Sequence, residues 1–455
     1  MIRWAVILAG VVLAGCTSVE PTEVPTRVKA VEATLPPPKV FTRAFPTPPA
    51  RSNQNIASDF VSLHFALESG AELPTFTRFE TPITVRLTGT TTPSMQRDLN
   101  RLLNRLRREA GIDITQISEG QANITIESVS QAQIQRILPQ AACFVVPNSS
   151  SFEEYSRDRR KAKSSWTRLR SRERLGIFIP YDASPQEKRD CLHEEIAQAL
   201  GPLNDLYHLP DSVFNDDNFH TVLTGFDMLI LRAAYAPELR SGMTRDQVQA
   251  VIPGVLSRLN PRGDNLPAQP RSETPRDWVN AIQKSLRPSR SAQRRLQSAQ
   301  QAARIGKEQG WTDHRRAYPY YLMGRMGQFD NPQEALRQYQ IALQFLRATP
   351  GTELHQAYVT TQTAAYALAQ GKGPQVLPEL DKAIDVMTRA ENASQLATLL
   401  LLKSEALNQA GRTSQARSVR LDSLGWARYG FGSDVVARSL MQDVAEGSPN
   451  NNIGG

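Results

Sequence analysis

The sequence predicts an α+β domain, a mixed sheet with packed helices, followed by an all-α solenoid. Three observations carry this. Between residues 83 and 201, short segments of strand-like alternation are interleaved with segments of helical periodicity. The run Asn260-Pro-Arg-Gly-Asp-Asn-Leu-Pro-Ala-Gln-Pro270 then breaks both patterns with Pro, Gly and Asn. Beyond Thr274 the chain is helical, and Ala342, Ala383 and Leu424 recur at equivalent places every 41 residues. A length of 455 residues leaves room for two or three domains, and 40% apolar with 22% charged residues is ordinary for a globular chain. The net charge of +8 is spread over this length without a nucleic-acid reader motif, so no nucleic-acid partner is expected.

The N-terminus reads as an export and anchoring signal. Met1-Ile2-Arg3 is a short basic start, Trp4 to Val12 an apolar run too short to span a bilayer, and Leu13-Ala14-Gly15-Cys16 a lipobox. Residues 1–15 are therefore a lipoprotein signal peptide, and Cys16 is the lipidated residue. Thr17 stands where some bacteria use Asp to retain lipoproteins in the inner membrane. The expected anchor is thus the outer membrane, facing the periplasm, with the inner membrane as the alternative. Residues 16–55, carrying Pro21, Pro25, Pro36, Pro37, Pro38, Pro46, Pro48 and Pro49 without apolar periodicity, read as an extended tether. Once Cys16 takes lipid, Cys143 and Cys191 remain as a pair in an oxidising compartment, where a disulfide is the expected state and free buried thiols the alternative.

The first domain is expected over residues 56–260. Helical spacing marks Ala57 to Leu67, and Ile83-Thr-Val-Arg-Leu87 alternates as a strand. Ser94 to Ala110 follows as a helix with Leu99, Leu102, Leu103 and Leu106 on one face; Ala122-Asn-Ile-Thr-Ile126 and Cys143-Phe-Val-Val146 are two further strands. A basic run, Arg157, Arg159, Arg160, Lys161, Lys163, Arg168, Arg170, Arg172 and Arg174 around Trp166, is either a patch for an anionic surface or a solvated loop. Leu175-Gly-Ile-Phe-Ile179 is a strand, and Ser184-Pro185 starts a helix with an N-cap and a first-position proline that continues to Gly201. Phe219 to Tyr235 and Met243 to Leu259 are expected as two more helices, and residues 261–274 as the linker to residues 275–445. The last residues, 446–455, are a tail.

The candidate site lies in Cys191-Leu-His-Glu-Glu-Ile-Ala-Gln-Ala-Leu-Gly-Pro-Leu-Asn-Asp205. This stretch resembles the active-site helix of the zinc peptidases called metzincins, where HExxHxxGxxH sets two His one turn apart, a Glu base beside the first, and a third His after a Gly. In that frame Glu194, Gln198 and Asn204 occupy the three His positions, Glu195 the base position and Gly201 the Gly position, while Ser212-Val213-Phe214 falls near the Met-turn. Starting from His193 instead places Ala197, which cannot bind metal, four residues on. Strand, helix, strand, strand and helix is also the order of zincin N-terminal subdomains. In those enzymes the edge strand beside the helix, here Leu175 to Ile179, holds extended substrate.

Glu, Gln and Asn offer zinc no imidazole or thiolate, so no metal and no cofactor is expected. Zinc remains an alternative, as does calcium on Asp211, Asn215, Asp216 or Asp217. The expected feature is a metal-free cleft lined by Glu194 and Gln198, closed by Asn204 and Asp205, with His193 either packing on Tyr207 or lining the site. His208 and His220 are two further candidates for a non-standard site. The alternative is that Glu194, Gln198 and Asn204 form a buried network holding the helix to the next loop. Together with Asn204-Asp205, Ser212-Val-Phe-Asn-Asp216, Leu223-Thr224, Asp227 and Arg240-Ser-Gly-Met243, the stretch resembles a family of proteobacterial lipoproteins known only as a domain of unknown function, over about residues 55 to 260.

In the second half, Asn331-Pro-Gln-Glu-Ala335 with Tyr339 and Ala342, preceded by Leu322-Met-Gly324, resembles the tetratricopeptide helical hairpin. Gly327, Gly371 and Gly411 mark turns. Such a solenoid implies a protein-binding groove. The function expected from these resemblances is a lipid-anchored periplasmic scaffold, with a pseudo-peptidase domain and repeats that bind an envelope protein or peptide. The alternative is a divergent metallopeptidase acting on envelope proteins or peptides, with Glu195 as general base.

Overall fold

The computed structural model describes residues 36–270, 272–287 and 291–432; the lipobox with Cys16 and the tail lie outside these. The first helix, α1 (Asn53–His64), starts at Ser52, whose side chain accepts from the amide of Asn55. Strand β1 (Ile83–Gly89) follows, then α2 (Pro93–Glu109), capped by Thr92 and burying Leu99, Leu102, Leu103 and Leu106 as the spacing predicts. Next come β2 (Ile114–Gln116), β3 (Ile124–Val129), α3 (Gln131–Ile137), β4 (Phe144–Pro147), α4 (Phe152–Asp158), β5 (Leu175–Pro180) and α5 (Pro185–Leu200). The five strands lie in the order β2-β1-β3-β5-β4, all parallel except β4, which runs antiparallel to β5.

This topology corrects one expectation. Strand β5 is interior, paired on both sides, which is why every residue from Leu175 to Pro180 is buried; β4 holds the edge. Alternation along these strands sorts two cores. Val145, Ile177 and Ile179 join the main core with α2 and α5, whereas Phe144, Val146 and Phe178 face Ile134, Phe152 and Tyr155 on the other side.

Helix α6 (Gly225–Ala234) begins later than its apolar content suggests. Thr224 and Asp227 form a capping box that starts it, and Phe219 to Thr224 run as irregular backbone. After α7 (Arg245–Leu259), the stretch read as a linker is stitched to α1: Asn53 donates to the carbonyl of Asn260 at 2.9 Å and to Asp264 at 2.7 Å, and Asn55 to the carbonyl of Gln269 at 3.0 Å.

The second half is all helical: α8 (Arg276–Leu286), α9 (Ala292–Glu308), α10 (His314–Gly327), α11 (Pro332–Arg347), α12 (Glu353–Ala369), α13 (Gly373–Arg389), α14 (Ala393–Gln409) and α15 (Thr413–Gly430), each packed on the next. Ala342, Ala383 and Leu424, the residues of the 41-residue spacing, are all buried. Gly324 permits the tightest of these contacts, since a Cβ there would stand 2.5 Å from the ring of Tyr339. The Pro-rich stretch lies along this array from Pro36: the amide of Lys39 donates to the carbonyl of Gly425 at 2.9 Å, and Phe41 stacks on Trp426 with centroids 4.4 Å apart. From Pro36 onward the chain forms one compact unit. Among the described residues no helix is long and apolar enough to cross a membrane.

Candidate functional site

Helix α5 is the centre of the first domain, with twelve of its sixteen residues buried against α2, β4, β5 and the loops that follow. Its start matches the sequence reading, Ser184 accepting from the amide of Glu187 and Pro185 standing first. Its end is held by a residue counted in the basic run. Arg172 is 3% exposed and donates to the carbonyls of Gln198 and Gly201, satisfying helix-end acceptors that have no partner within the helix. The expected disulfide is formed, and Cys143 to Cys191 ties the residue before β4 to the middle of α5.

Spacing along α5 places Glu187, Asp190, Glu194 and Gln198 in one stripe. Three of them, Glu187, Asp190 and Glu194, line a half-buried cavity of about 180 Å³, closed by Asp205, Asn215, Asp216 and His220. Five carboxylates therefore face one space whose lining includes neither Lys nor Arg. Loss of water and the neighbouring charges of Glu68, Asp216 and Asp190 push the Glu194 carboxyl up to about 7. Burial first, then the charges of Glu68 and Glu194, hold Asp205 and Glu195 well above the usual carboxylate range, and burial with the charge of Asp217 raises Asp216. Tyr207 donates to Asp216 at 2.7 Å and opposes that rise.

The predicted residues part company here. Glu194, Gln198 and Asp205 converge on Glu68, to which Gln198 donates at 3.4 Å. Asn204 does not join them; it donates to the carbonyl of Ser62 at 3.0 Å and so fastens the loop to α1. Glu195 points into the fold, 4% exposed, with Oε2 lacking a hydrogen-bond partner. His193 is neither on the helix surface nor against Tyr207: it is buried, and its Nδ1 accepts from the amide of Leu223 at 3.2 Å. Burial and the charges of Arg105, Arg189 and Arg101 hold it well below the usual imidazole range, so it is neutral. Tyr207 packs edge-on against Trp278 instead.

The residues weighed for calcium are dispersed by other partners. Asp211 pairs with Arg51, Asp217 accepts from Asn215 at 2.8 Å and faces His355 at 2.9 Å, and Asp216 belongs to the acidic cavity. His208 pairs with Asp59 at 2.8 Å, and His220 is close to His355 rather than to His193. Among the described residues no three His, Cys, Asp or Glu side chains come together as a metal-holding group.

Sequence reasoning missed Glu68, on the exposed turn after α1, for which no pattern gives a signal. It missed Glu187 and Asp190 as well, although their three- and four-residue spacing from Glu194 on α5 could have found them. It also missed how the helical array meets the site. Phe219 inserts between Tyr318, Tyr321, His355 and Tyr358, with ring centroids 4.4 to 5.8 Å away, and His314 bonds the carbonyl of Tyr207 at 2.8 Å. Arg189, 1% exposed, reaches from α5 to the carbonyl of Glu391, whose side chain takes two bonds from Arg101 at 2.5 and 2.6 Å. Tyr207 and Phe219 of the loop after α5 thus pack on α10 and α12.

A family model described as "Protein of unknown function (DUF2927)" matches residues 53–254, from the start of α1 into α7. No curated protein and no solved structure matches the chain. The stretch that builds the sheet, α5 and the acidic cavity is therefore a DUF2927 domain, to which this chain adds the helical array α8–α15.

Proposed function

We propose that this is a lipid-anchored binding protein of the cell envelope, whose DUF2927 domain is a pseudo-peptidase and whose acidic cavity takes a cationic group, an amine or guanidinium, presented by a peptide or protein. The observation that carries the reading is the set of five carboxylates, Glu187, Asp190, Glu194, Asp205 and Asp216, around one cavity whose lining holds neither Lys nor Arg, with Asp190 already paired to Arg189 outside that lining. Carboxylates crowded in this way resist ionisation until a cation enters, and a bound cation lets them release protons.

Descent from a metzincin-like peptidase is supported by the mixed sheet with α5 packed beside its antiparallel edge strand, and by Glu194 and Gln198 standing one turn apart on α5, Glu194 on the cavity and Gln198 on Glu68. The donor chemistry argues against retained catalysis. Glu194 and Gln198 are poor zinc ligands, Asn204 turns to α1, and Glu195 is buried in the fold, away from the cavity lining where a substrate would stand. The helices α8–α15 read as tetratricopeptide-like hairpins that brace the site from outside. A second protein recruited by this array would use α11 and α13, because α10, α12 and α15 already contact the first domain. The lipobox at Cys16 supports the placement in the envelope.

Calorimetric titration of the protein with a lysine-containing peptide and with its acetyl-lysine counterpart tests this. The expected result is binding of the first only, with heat that depends on the buffer's ionisation enthalpy because protons are released, and loss of that binding in Glu194→Gln/Asp205→Asn. Equal affinity for both peptides would overturn the cationic reading. Stoichiometric zinc together with peptide hydrolysis abolished by Glu195→Gln would establish the peptidase instead.

A further inference from the structure

Nine cationic side chains lie between Glu153 and Arg174 against four carboxylates, and the fold decides which of them are free. Arg172 is buried at the end of α5, and Arg174 donates to Glu154 and to the carbonyl of Asn148. Arg157, Lys161 and Lys163 gather on Asp158, with Lys163 also reaching Glu154. Arg159, Arg160, Arg168 and Arg170 remain, all exposed and, among the described residues, without an ion pair. They stand within one short segment, between the end of α4 and the start of β5, that folds as two 3-10 turns with the first packed on β4 and α4.

We propose that these four arginines form a membrane-docking face that binds the phosphates of anionic lipid headgroups. Guanidinium forks suit phosphate oxygens, and a diffuse polyanionic surface requires no shaped pocket. A protein partner would call for apolar or aromatic anchors in the patch. Trp166, the one Trp in the segment, is half-buried against the main core beneath Arg172, and the exposed large apolar side chains, Phe329 and Leu421 among them, do not fall between Arg157 and Arg170. In the sequence Cys16 stands twenty residues before Pro36. The inference rests on the envelope placement proposed above and not on the acidic cavity.

The test is co-sedimentation of the compact unit from Pro36 onward, which carries no lipid, with vesicles of pure phosphatidylcholine and of phosphatidylcholine containing phosphatidylglycerol. Binding is expected only to the anionic vesicles, and should vanish at about 0.5 M salt. Each arginine removed should lower the partition coefficient about fivefold, so Arg159→Gln/Arg160→Gln/Arg168→Gln/Arg170→Gln abolishes sedimentation while its thermal midpoint stays that of the parent. A control that removes equal charge elsewhere, Arg294→Gln/Arg304→Gln/Arg412→Gln/Arg417→Gln, should bind as the parent does. Equal binding to both vesicle types, no binding to either, or an equal loss in the control would overturn the docking face. So would capture by polyglutamate in place of the vesicles. A failure here leaves the peptide titration of the acidic cavity untouched, and the reverse also holds.

Discussion

Glu194 stands four residues after Asp190 and four before Gln198, and its carboxyl is raised from an ordinary value near 4.5 to about 7 by burial and by the charges of Glu68, Asp216 and Asp190. The folded state therefore holds a proton that the unfolded chain gives up. The stability from this group is complete below about pH 4.5, declines as pH rises towards 7, and changes no further above that. Gln imitates the protonated acid. Glu194→Gln is expected to equal the parent near pH 4.5 and to exceed it by about 1–2 kcal/mol at pH 8, a value reduced from the full linkage because the side chain is half-buried and shares its protons with neighbours. Urea midpoints at pH 5 and pH 8 measure this; an unchanged gap between the two would mean that Glu194 titrates as an ordinary carboxyl. Much of the site was legible at this scale, since the 3- and 4-residue spacings on α5 place Glu187, Asp190, Glu194 and Gln198 together. Glu68 was not, because a side chain arriving from 130 residues earlier leaves no periodicity to read. Asn204 misled, because spacing within a loop says nothing of direction.

At the scale of elements, the sequence specified the start of α5 and the interior strands best, where capping chemistry and apolar alternation act locally. Ser184-Pro185 and Thr92-Pro93 both open helices as their side chains require. Strand β2 escaped notice because three residues carry too little pattern, and β5 was taken for an edge because pairing on both sides is a property of the sheet. Gly201 is a subtler case. It ends α5, yet its φ of −178° is extended backbone open to any residue. The reason for glycine is space: a Cβ would meet Nε2 of His64 at 2.8 Å, and His64 is itself stacked between Phe60 and Phe76. The edge strand β4 depends on a covalent tie, since it pairs only with β5 and is clamped to α5 through Cys143 and Cys191. The closed segment spans 48 residues. Reduction, or Cys143→Ala/Cys191→Ala, is expected to cost about 2–4 kcal/mol, with hydrogen exchange rising first in residues 144–147. Loss spread evenly over the sheet would show that the tie does not act through β4.

At the scale of the molecule, the DUF2927 domain and the helical array behave as one structure, because the loop after α5 supplies side chains to the core of the array. Tyr207 and Phe219 belong to the hydrophobic cluster of α8–α14, and the aromatic cage on Phe219 is drawn from α10 and α12. Across the same boundary Arg101 and Arg189 converge on Glu391, a non-glycine residue held in the left-handed region at φ 57°. No linker composition could have announced this, since contact between domains is set by faces and not by the segment that joins them. An interface anchored in this way makes unfolding a single event: fluorescence and far-UV circular dichroism of the parent should trace coincident urea transitions. Removing the ring in Phe219→Ala empties the cage at a cost of about 3–5 kcal/mol. The array is then expected to melt apart from the sheet domain, giving two transitions that the probes report at different urea concentrations. A variant that merely shifts one coincident transition would mean that the polar contacts at Glu391 suffice to couple the halves. The same uncoupling should leave the acidic cavity with its α5 wall intact but its loop wall, Asp205 to Asp216, loosened, so weaker retention of a lysine peptide in Phe219→Ala would mark the array as the brace of the site.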